Sequence, residues 1–567
     1  MRILILCHAF NSLSQRIHAE LIADGHEVSV ELDIGDEVTR DAVARFRPDV
    51  LVAPFLKRKI PDDVWQALPC LIVHPGPPGD RGPNALDWAV FEAHEEWGVS
   101  IIRANDELDG GPVLAHRRFP LRATRKSSLY RFEVTEAALA SLREALQRLD
   151  ATPPEPVPGR WRGVLPKQDR RVDWTVDDST TALRKIRSAD GQPGAVGELA
   201  GRTLRLFDAR LELELRGAPG SLLARCQGAV CVATRDGALW VGRLKAEGEG
   251  QFKRRAVDVL GDTAATLPEL PGAAFEEPAR GPIRYRELGP VGVLEFDFYN
   301  GAMSTPDCEA LLLVWEQSRA QAARVVVLAG GDDFWSNGMD LNAIEAAESA
   351  ADESWANINA IDDLVRAIVL DTDRITVSAL GANAAAGGVF LALAADRVWA
   401  RDGVVLNPHY KNMGNLFGSE YWTYLLPRRV GADGIDAVMG RRLPMLAGEA
   451  ERLGLVDAVG PNDRIAFRDW TIARAAELAG DGLDQRLAAK RERRRRDEAE
   501  RPLERYREAE LERMRMNFYG FDPSYHVARY RLVQRTPHAW TPLYLARHRG
   551  VSRKDTLEPQ MNADERS

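Results

Sequence analysis

Cysteine is scarce and scattered in this chain: Cys7, Cys70, Cys226, Cys231 and Cys308 make an odd total and contain no CxxC pair. Such usage argues against a disulfide framework, offers no zinc or iron–sulfur ligand set, and points to a reducing, cytoplasmic compartment. Long apolar runs are missing as well, and no stretch approaches the ~20 residues of a membrane span. The opening MRILILCHAF passes directly into NSLSQRIHAELIADG, which predicts a first buried strand and helix rather than a secretory signal. Positive charge is not in excess. A formal net charge of -9 argues against a surface that tracks nucleic acid. No internal repeat is evident.

What the chain does have is length and an ordinary globular composition. With 567 residues, 45% hydrophobic and 28% charged, it is too long for one core and implies three or four domains. Over residues 1–150, apolar runs at Arg2–Leu6, Glu27–Leu32, Val50–Ala53 and Cys70–His74 alternate with helical patterns at Ser14–Ala23, Glu37–Phe46 and Asn84–Glu95. This alternation predicts a doubly wound, mostly parallel α/β sheet. A proline-rich connector, TPPEPVPG (Thr152–Gly159), leads to residues 160–267, where one helical stretch and short glycine-punctuated strands predict a small β-barrel. After LPELPGAAFEEPARGP (Leu267–Pro282), residues 283–480 again alternate strand and helix, and 484–567 form a densely charged helical tail. The tail is expected to be a solvated helix laced with i,i+4 pairs.

Two segments carry chemistry. The first is IVHPGPPGDRGP (Ile72–Pro83), followed by DELDGGPV (Asp106–Val113). A formyl group leaving a folate nitrogen passes through a tetrahedral species, so its site needs oxyanion stabilisation and proton handling. His74 at a strand end and Asp109 in a tight turn suit these tasks. The order HPG, glycine/proline loop, helix, D-x-x-D-G-G-P resembles the 10-formyltetrahydrofolate-dependent formyltransferases. PKQDRRVDWT (Pro166–Thr175) and ALRKIRSADGQPGA (Ala182–Ala195) extend the likeness to the second domain of the methionyl-tRNA enzymes. The resemblance implies that His74 and Asp109 are catalytic. It also marks a departure: Ile72 stands where the family places an asparagine that hydrogen-bonds the formyl oxygen. That loss weighs against an amine acceptor and less against a thiol, whose thiolate is the stronger nucleophile near neutral pH.

The second segment is DDFWSNGMDL (Asp332–Leu341) with SALGANAAAGGVFLALAADRVWA (Ser378–Ala400). It resembles the crotonase, or enoyl-CoA hydratase/isomerase, family. The resemblance assigns the thioester oxyanion hole to the N–H groups of Met339 and Gly387, with Gly388 allowing close backbone approach. The two glutamates that activate water in the hydratases are replaced by Phe390 and His409, so hydration is not expected. In their stead NPHYKNMGNLFGSEYWTYLLP (Asn407–Pro427) brings His409, Tyr410, Lys411, Ser419, Glu420, Tyr421 and Tyr424 to the pocket region. Tyr410 and Glu420 are the acid/base candidates, with either able to be the base.

Together, the three domains in this order, AFNSLSQR (Ala9–Arg16) and HYKNMGNLFGSEYW resemble the HypX/HoxX family of NiFe-hydrogenase maturation factors. The resemblance implies formyl transfer from 10-formyltetrahydrofolate to coenzyme A, then decarbonylation of formyl-CoA to carbon monoxide, with hydrogenase maturation proteins as partners and neither nucleic acid nor membrane involved. Two other readings stand beside it. One is a formyltransferase whose downstream domain only holds coenzyme A; the other is a non-catalytic maturation scaffold.

Overall fold

A computed structural model describes residues 1–272, 274–276 and 280–550. The first sheet has the strand order Glu27–Leu32, Arg2–Cys7, Val50–Phe55, Cys70–His74, Glu96–Arg103, Val113–Pro120. Its first four strands are parallel and the last two antiparallel. After Arg2, ILILC is apolar throughout, as is VLVAPF, because both faces are covered: Ile3, Ile5, Val50 and Val52 pack into one cluster, Leu4, Leu6 and Leu51 into another. The expected helix Asn84–Glu95 is shorter, Ala85–Phe91. Ala93 turns the chain at φ 55°, and Glu96 already opens a strand that pairs with Cys70–His74. His74 thus ends its strand beside Ser100, at the carboxyl edge of the sheet.

The connector after this sheet is more than a spacer. Arg160–Trp161 pairs with Asp80–Arg81 of the HPG loop, and Arg160 N–H donates to Gly79 O at 2.9 Å. The second unit is an antiparallel sheet in the order Leu222–Cys226, Ala229–Ala233, Ala238–Ala246, Arg202–Glu212, Ala195–Leu199. Helix Ser179–Ala189 packs on its apolar inner face through Ala182, Leu183 and Ile186.

The third unit has the order Ile283–Leu288, Val291–Phe296, Val325–Gly330, Ile375–Leu380, Arg397–Arg401, Ala458–Gly460, parallel except for the first hairpin. A smaller sheet matters more for chemistry. In it Phe334–Ser336 runs parallel to Asn383–Ala385, so the chains leading into NGMDL and AGG lie side by side.

The charged tail departs from expectation. It breaks at Arg501–Pro502 into helices Leu483–Glu500 and Leu503–Tyr519, followed by Ser524–Gln534. It is not merely a solvated helix. Leu503, Glu510, Met514 and Phe518 lie at helical spacing and are buried, and helix Leu503–Tyr519 packs on Ala350–Leu370 and Trp422–Val430. Beyond it the chain returns to the first sheet, where Val30 N–H donates to Leu545 O at 3.0 Å. The remainder of the expected tail, 551–567, lies outside the described residues.

Candidate active site

The first constellation forms where Cys70–His74 ends. His74 is buried, with Nε2 3.0 Å from Asp80 Oδ2 and Nδ1 3.7 Å from Asp109 Oδ2. Asp109 sits at φ 52°, and its Oδ2 accepts the Gly82 N–H at 3.1 Å. Asp80 was not singled out from sequence. Its Oδ1 accepts from Arg162 Nη2 at 2.7 Å and Nε at 3.2 Å, so the connector, just past its strand Arg160–Trp161, fixes the carboxylate that holds the histidine. Burial alone would push Asp80 up, but the hydrogen bonds from His74 and Arg162 outweigh it and keep the carboxyl below its ordinary range.

The glycine of HPG follows from this packing. A Cβ at Gly76 would lie 2.4 Å from Asp80 Oδ2 and 2.6 Å from His74 Nε2, so only glycine leaves room for the pair. Gly111, in the Asp109 turn, is likewise fixed by a backbone oxygen, since a Cβ there would meet Arg103 O at 1.9 Å. Ile72 is two residues before His74 on the same strand and packs beside the cluster containing Leu4, Leu6 and Leu51. An apolar side chain on the histidine's face of the sheet replaces the amide expected there.

The second constellation is built from backbone and a buried loop. A Cβ at Gly338 would be 3.3 Å from Gly387 N, which shows how closely the two donor segments approach. Met303 N–H donates to Gly338 O at 2.9 Å and Asp340 N–H to Met303 O at 3.1 Å, which brackets Met339. Among the described residues the N–H groups of Met339 and Gly387 have no acceptor. Gly387 also opens helix Gly387–Leu393, adding the positive end of a short helix to its donor. Gly388 has no room for a side chain, since a Cβ would meet Ser336 O at 2.1 Å.

Glu420 lies against this turn. A Cβ on Gly387 would be only 2.0 Å from Glu420 Oε1, so this carboxylate oxygen faces the donor backbone. Its other oxygen accepts the Tyr410 hydroxyl at 2.5 Å and the Ser419 N–H at 3.1 Å. Both Glu420 and Tyr421 have left-handed backbone, φ 60° and 57°, a strained pair of the kind found at functional sites. Burial, reinforced by the nearby charge of Asp362, raises the Glu420 carboxyl to about 8. Phe390, expected in place of a hydratase glutamate, stacks on Tyr410 with ring centroids 5.5 Å apart and so packs the ring whose hydroxyl donates to Glu420.

Other members of the loop are distributed differently. His409 is buried, and burial, with the nearby charges of Arg442 and Lys411, lowers it to about 4. Tyr424 turns away to the tail, donating to Asp497 at 2.9 Å and accepting from Arg494. Ser419 donates instead to Asp362, a residue not anticipated from sequence, at 2.8 Å.

These two constellations have counterparts in known proteins. Formyl transferase models match residues 30–146, with the formyl transferase C-terminal domain at 165–256, and the enoyl-CoA hydratase/isomerase model matches 300–522. The hydrogenase maturation factor HoxX of Bradyrhizobium diazoefficiens is 54% identical over 97% of both chains. The chain belongs to the HypX/HoxX family of hydrogenase maturation factors. The crystal structure of HypX from Aquifex aeolicus in complex with tetrahydrofolic acid matches with a TM-score of 0.95 and 46% identity, covering 97% of this chain and 99% of that one. Methionyl-tRNA formyltransferase of Ruegeria pomeroyi is 30% identical over 41% of this chain and 78% of its own length. Membership in the HypX/HoxX family thus joins a formyltransferase-type unit to an enoyl-CoA hydratase/isomerase-type unit. The latter match runs past the start of the tail and takes in helix Leu503–Tyr519.

Proposed function

We propose that the protein makes carbon monoxide for hydrogenase maturation from the formyl group of 10-formyltetrahydrofolate, with coenzyme A as the second substrate. At the first site the thiol sulfur attacks the formyl carbon, forming the C–S bond. Breaking the bond to the folate nitrogen then releases tetrahydrofolate. His74 and Asp109 carry the thiol proton to the departing nitrogen, and Asp80 holds His74 in one orientation. Ile72 supplies no amide to the oxyanion, which fits an acceptor as nucleophilic as a thiolate.

At the second site Met339 and Gly387 N–H groups hold the thioester oxygen of formyl-CoA. Glu420 Oε1 takes the formyl proton, the C–S electron pair goes to sulfur, and carbon monoxide departs. A proton returned to sulfur through Glu420 and Tyr410 completes coenzyme A and restores the site. The observation that carries this reading is the position of Glu420: one oxygen against the Gly387 turn, the other held by Tyr410, its carboxyl tuned to about 8. A base with such a value is poised near the working pH. The reading also fits the family's place in hydrogenase maturation.

The test is the purified protein with 10-formyltetrahydrofolate and coenzyme A, carbon monoxide being trapped by reduced haemoglobin. We expect wild type to release carbon monoxide, and Tyr410→Phe and Glu420→Gln to accumulate formyl-CoA with release cut by a factor of ~10² or more. Accumulation of formyl-CoA by wild type without carbon monoxide would leave a formyltransferase with an inert second domain. No formyl transfer at all would leave a scaffold.

A further inference from the structure

Behind Glu420 lies a buried polar network that the reaction as described does not use. Asp362 comes from helix Ala350–Leu370, Ser419 from the loop, and Glu510 from the tail helix Leu503–Tyr519; all three are inaccessible to solvent. Ser419 Oγ is 2.8 and 3.0 Å from the two Asp362 oxygens and 3.3 Å from Glu510 Oε2. Asp362 Oδ1 also accepts the Glu420 N–H at 2.8 Å, and Glu510 Oε1 accepts both the N–H and the hydroxyl of Thr423.

Counting protons decides how this network is occupied. A serine hydroxyl has one hydrogen and an ionised carboxylate has none. If Asp362 and Glu510 were both ionised, Ser419 could satisfy only one, leaving a buried charge facing a lone pair. Both contacts become hydrogen bonds only when one carboxyl is protonated and donates to Ser419, which donates onward to the other. Arg507 selects which. Its Nε is 3.9 Å from Asp362 Oδ2, so the negative charge belongs on Asp362 and the proton on Glu510 Oε2.

We propose that Glu510, Ser419 and Asp362 form a directional chain, with Glu510 held as the neutral acid, that positions the Glu420 carboxylate against the Gly387 turn. Glu510 and Asp362 are positioning residues; neither touches the reacting atoms. The inference rests on the reading of Glu420 as the decarbonylation base. The mechanics are direct: Asp362 fixes the Glu420 backbone N–H, and this hydrogen bond supports the left-handed conformation that points Oε1 at the turn. The charge on Asp362 also makes Glu420 harder to ionise, which keeps it basic. Burial raises both carboxyls, Glu510 to about 8 and Asp362 to about 7, which favours a proton retained in the network, and the Arg507 contact places it on Glu510. The groups facing the network are Asp363 and Arg507 around Asp362, Tyr410 and Tyr421 from the loop, and Cys308 from the helix Thr305–Ser318.

Two measurements on the full-length protein test this. The first needs no activity. In the infrared spectrum at neutral pH, wild type minus Glu510→Gln should contain the band of a protonated carboxyl; a pair of ionised-carboxylate bands instead would overturn the assignment. The second is the pH profile of carbon monoxide release from supplied formyl-CoA. Removing the like charge in Asp362→Asn should move the rising limb to lower pH by roughly one unit. Glu510→Ala should slow release tenfold to a hundredfold, on the order expected for a misplaced reacting group, and Glu510→Gln, which keeps donor and acceptor, should restore most of it. Unchanged limb and rate in Asp362→Asn and Glu510→Ala would overturn the proposal; should Asp362→Asn fail to fold, the rates of Glu510→Ala and Ser419→Ala decide, and wild-type release from both would overturn it. If wild type releases no carbon monoxide, the decarbonylase reading fails, while the infrared difference still decides where the proton sits.

Discussion

His74 shows what a single residue can and cannot reveal. Its place at a strand end is legible from CLIVH followed by PG, yet its orienting partner Asp80 is six residues on, in a loop that reads only as a turn. The signal was Gly76, which is required because that pair fills the space beside it. Asp109 is the sharper test of the folate site. Asp109→Asn keeps the side-chain shape and an acceptor for Gly82 N–H but cannot take a proton, so formyl transfer from folate should fall by a factor of ~10² to 10⁴. Decarbonylation of supplied formyl-CoA should be unaffected in the same preparation. Wild-type folate turnover would remove Asp109 from the mechanism. At Ile72 the expected change is in specificity. Ile72→Asn adds a donor on the face that carries His74, so transfer to small amines should rise relative to coenzyme A, as competition between the two acceptors would measure. Loss of all formyl chemistry in a folded Ile72→Asn protein would mean that the isoleucine itself is needed.

Helices and strands were legible where the apolar pattern was dense, as in RILILC and VLVAPF, and illegible where charge masked it. In Leu503–Tyr519 the buried stripe of Leu503, Glu510, Met514 and Phe518 includes an acidic side chain that reads as solvated until Ser419 and Thr423 are seen against it. The same holds for Glu31, an acidic residue in a buried strand. It accepts from Thr541, from His548 Nε2 at 2.9 Å and from Arg549 Nη2 at 2.9 Å, three groups more than 500 positions away. Burial alone would raise Glu31, but these hydrogen bonds outweigh it and hold the carboxyl below its ordinary value. A depressed folded value means that the seam's contribution is present above the unfolded glutamate value, ~4.3, and is lost as pH falls through the folded one. Glu31→Gln should therefore weaken the docking of residues 541–549 by about 1–3 kcal/mol, the range for losing hydrogen bonds to a charged group. Faster amide exchange at Val30 and Leu32, whose N–H groups bond Leu545 O and Thr541 Oγ1, would register the change. Exchange as slow as in wild type would show that the strap is held by its apolar contacts instead.

The three units are tied by contacts that no local pattern announces. Arg16 of the first unit donates to Gly403 O at 2.6 Å, and Gln15 accepts from Asn407, two residues before His409. Arg131 pairs with Asp333 at 2.8 Å and bonds Asn300, while Arg243 of the second unit approaches Asp340, the residue after Met339, at 3.3 Å. Tyr299 donates to Asp190, and Lys253, lowered to about 7 by burial, donates to Tyr299. Such a joint makes the two sites parts of one body rather than enzymes on a string. It also bears on the fate of the formyl-CoA proposed above, a thioester exposed to hydrolysis if it enters bulk water. We expect the formyl group to pass between sites without release. With carbon-13 10-formyltetrahydrofolate as the source and unlabelled formyl-CoA added in excess, the first carbon monoxide formed should keep the carbon-13 label nearly undiluted. Arg131→Ala removes the pair with Asp333 that joins the first unit to the third, and should raise dilution more than it slows either half-reaction measured alone. Label diluted to the bulk ratio in the wild-type protein would mean that formyl-CoA leaves and rebinds, and that the joint serves stability rather than transfer.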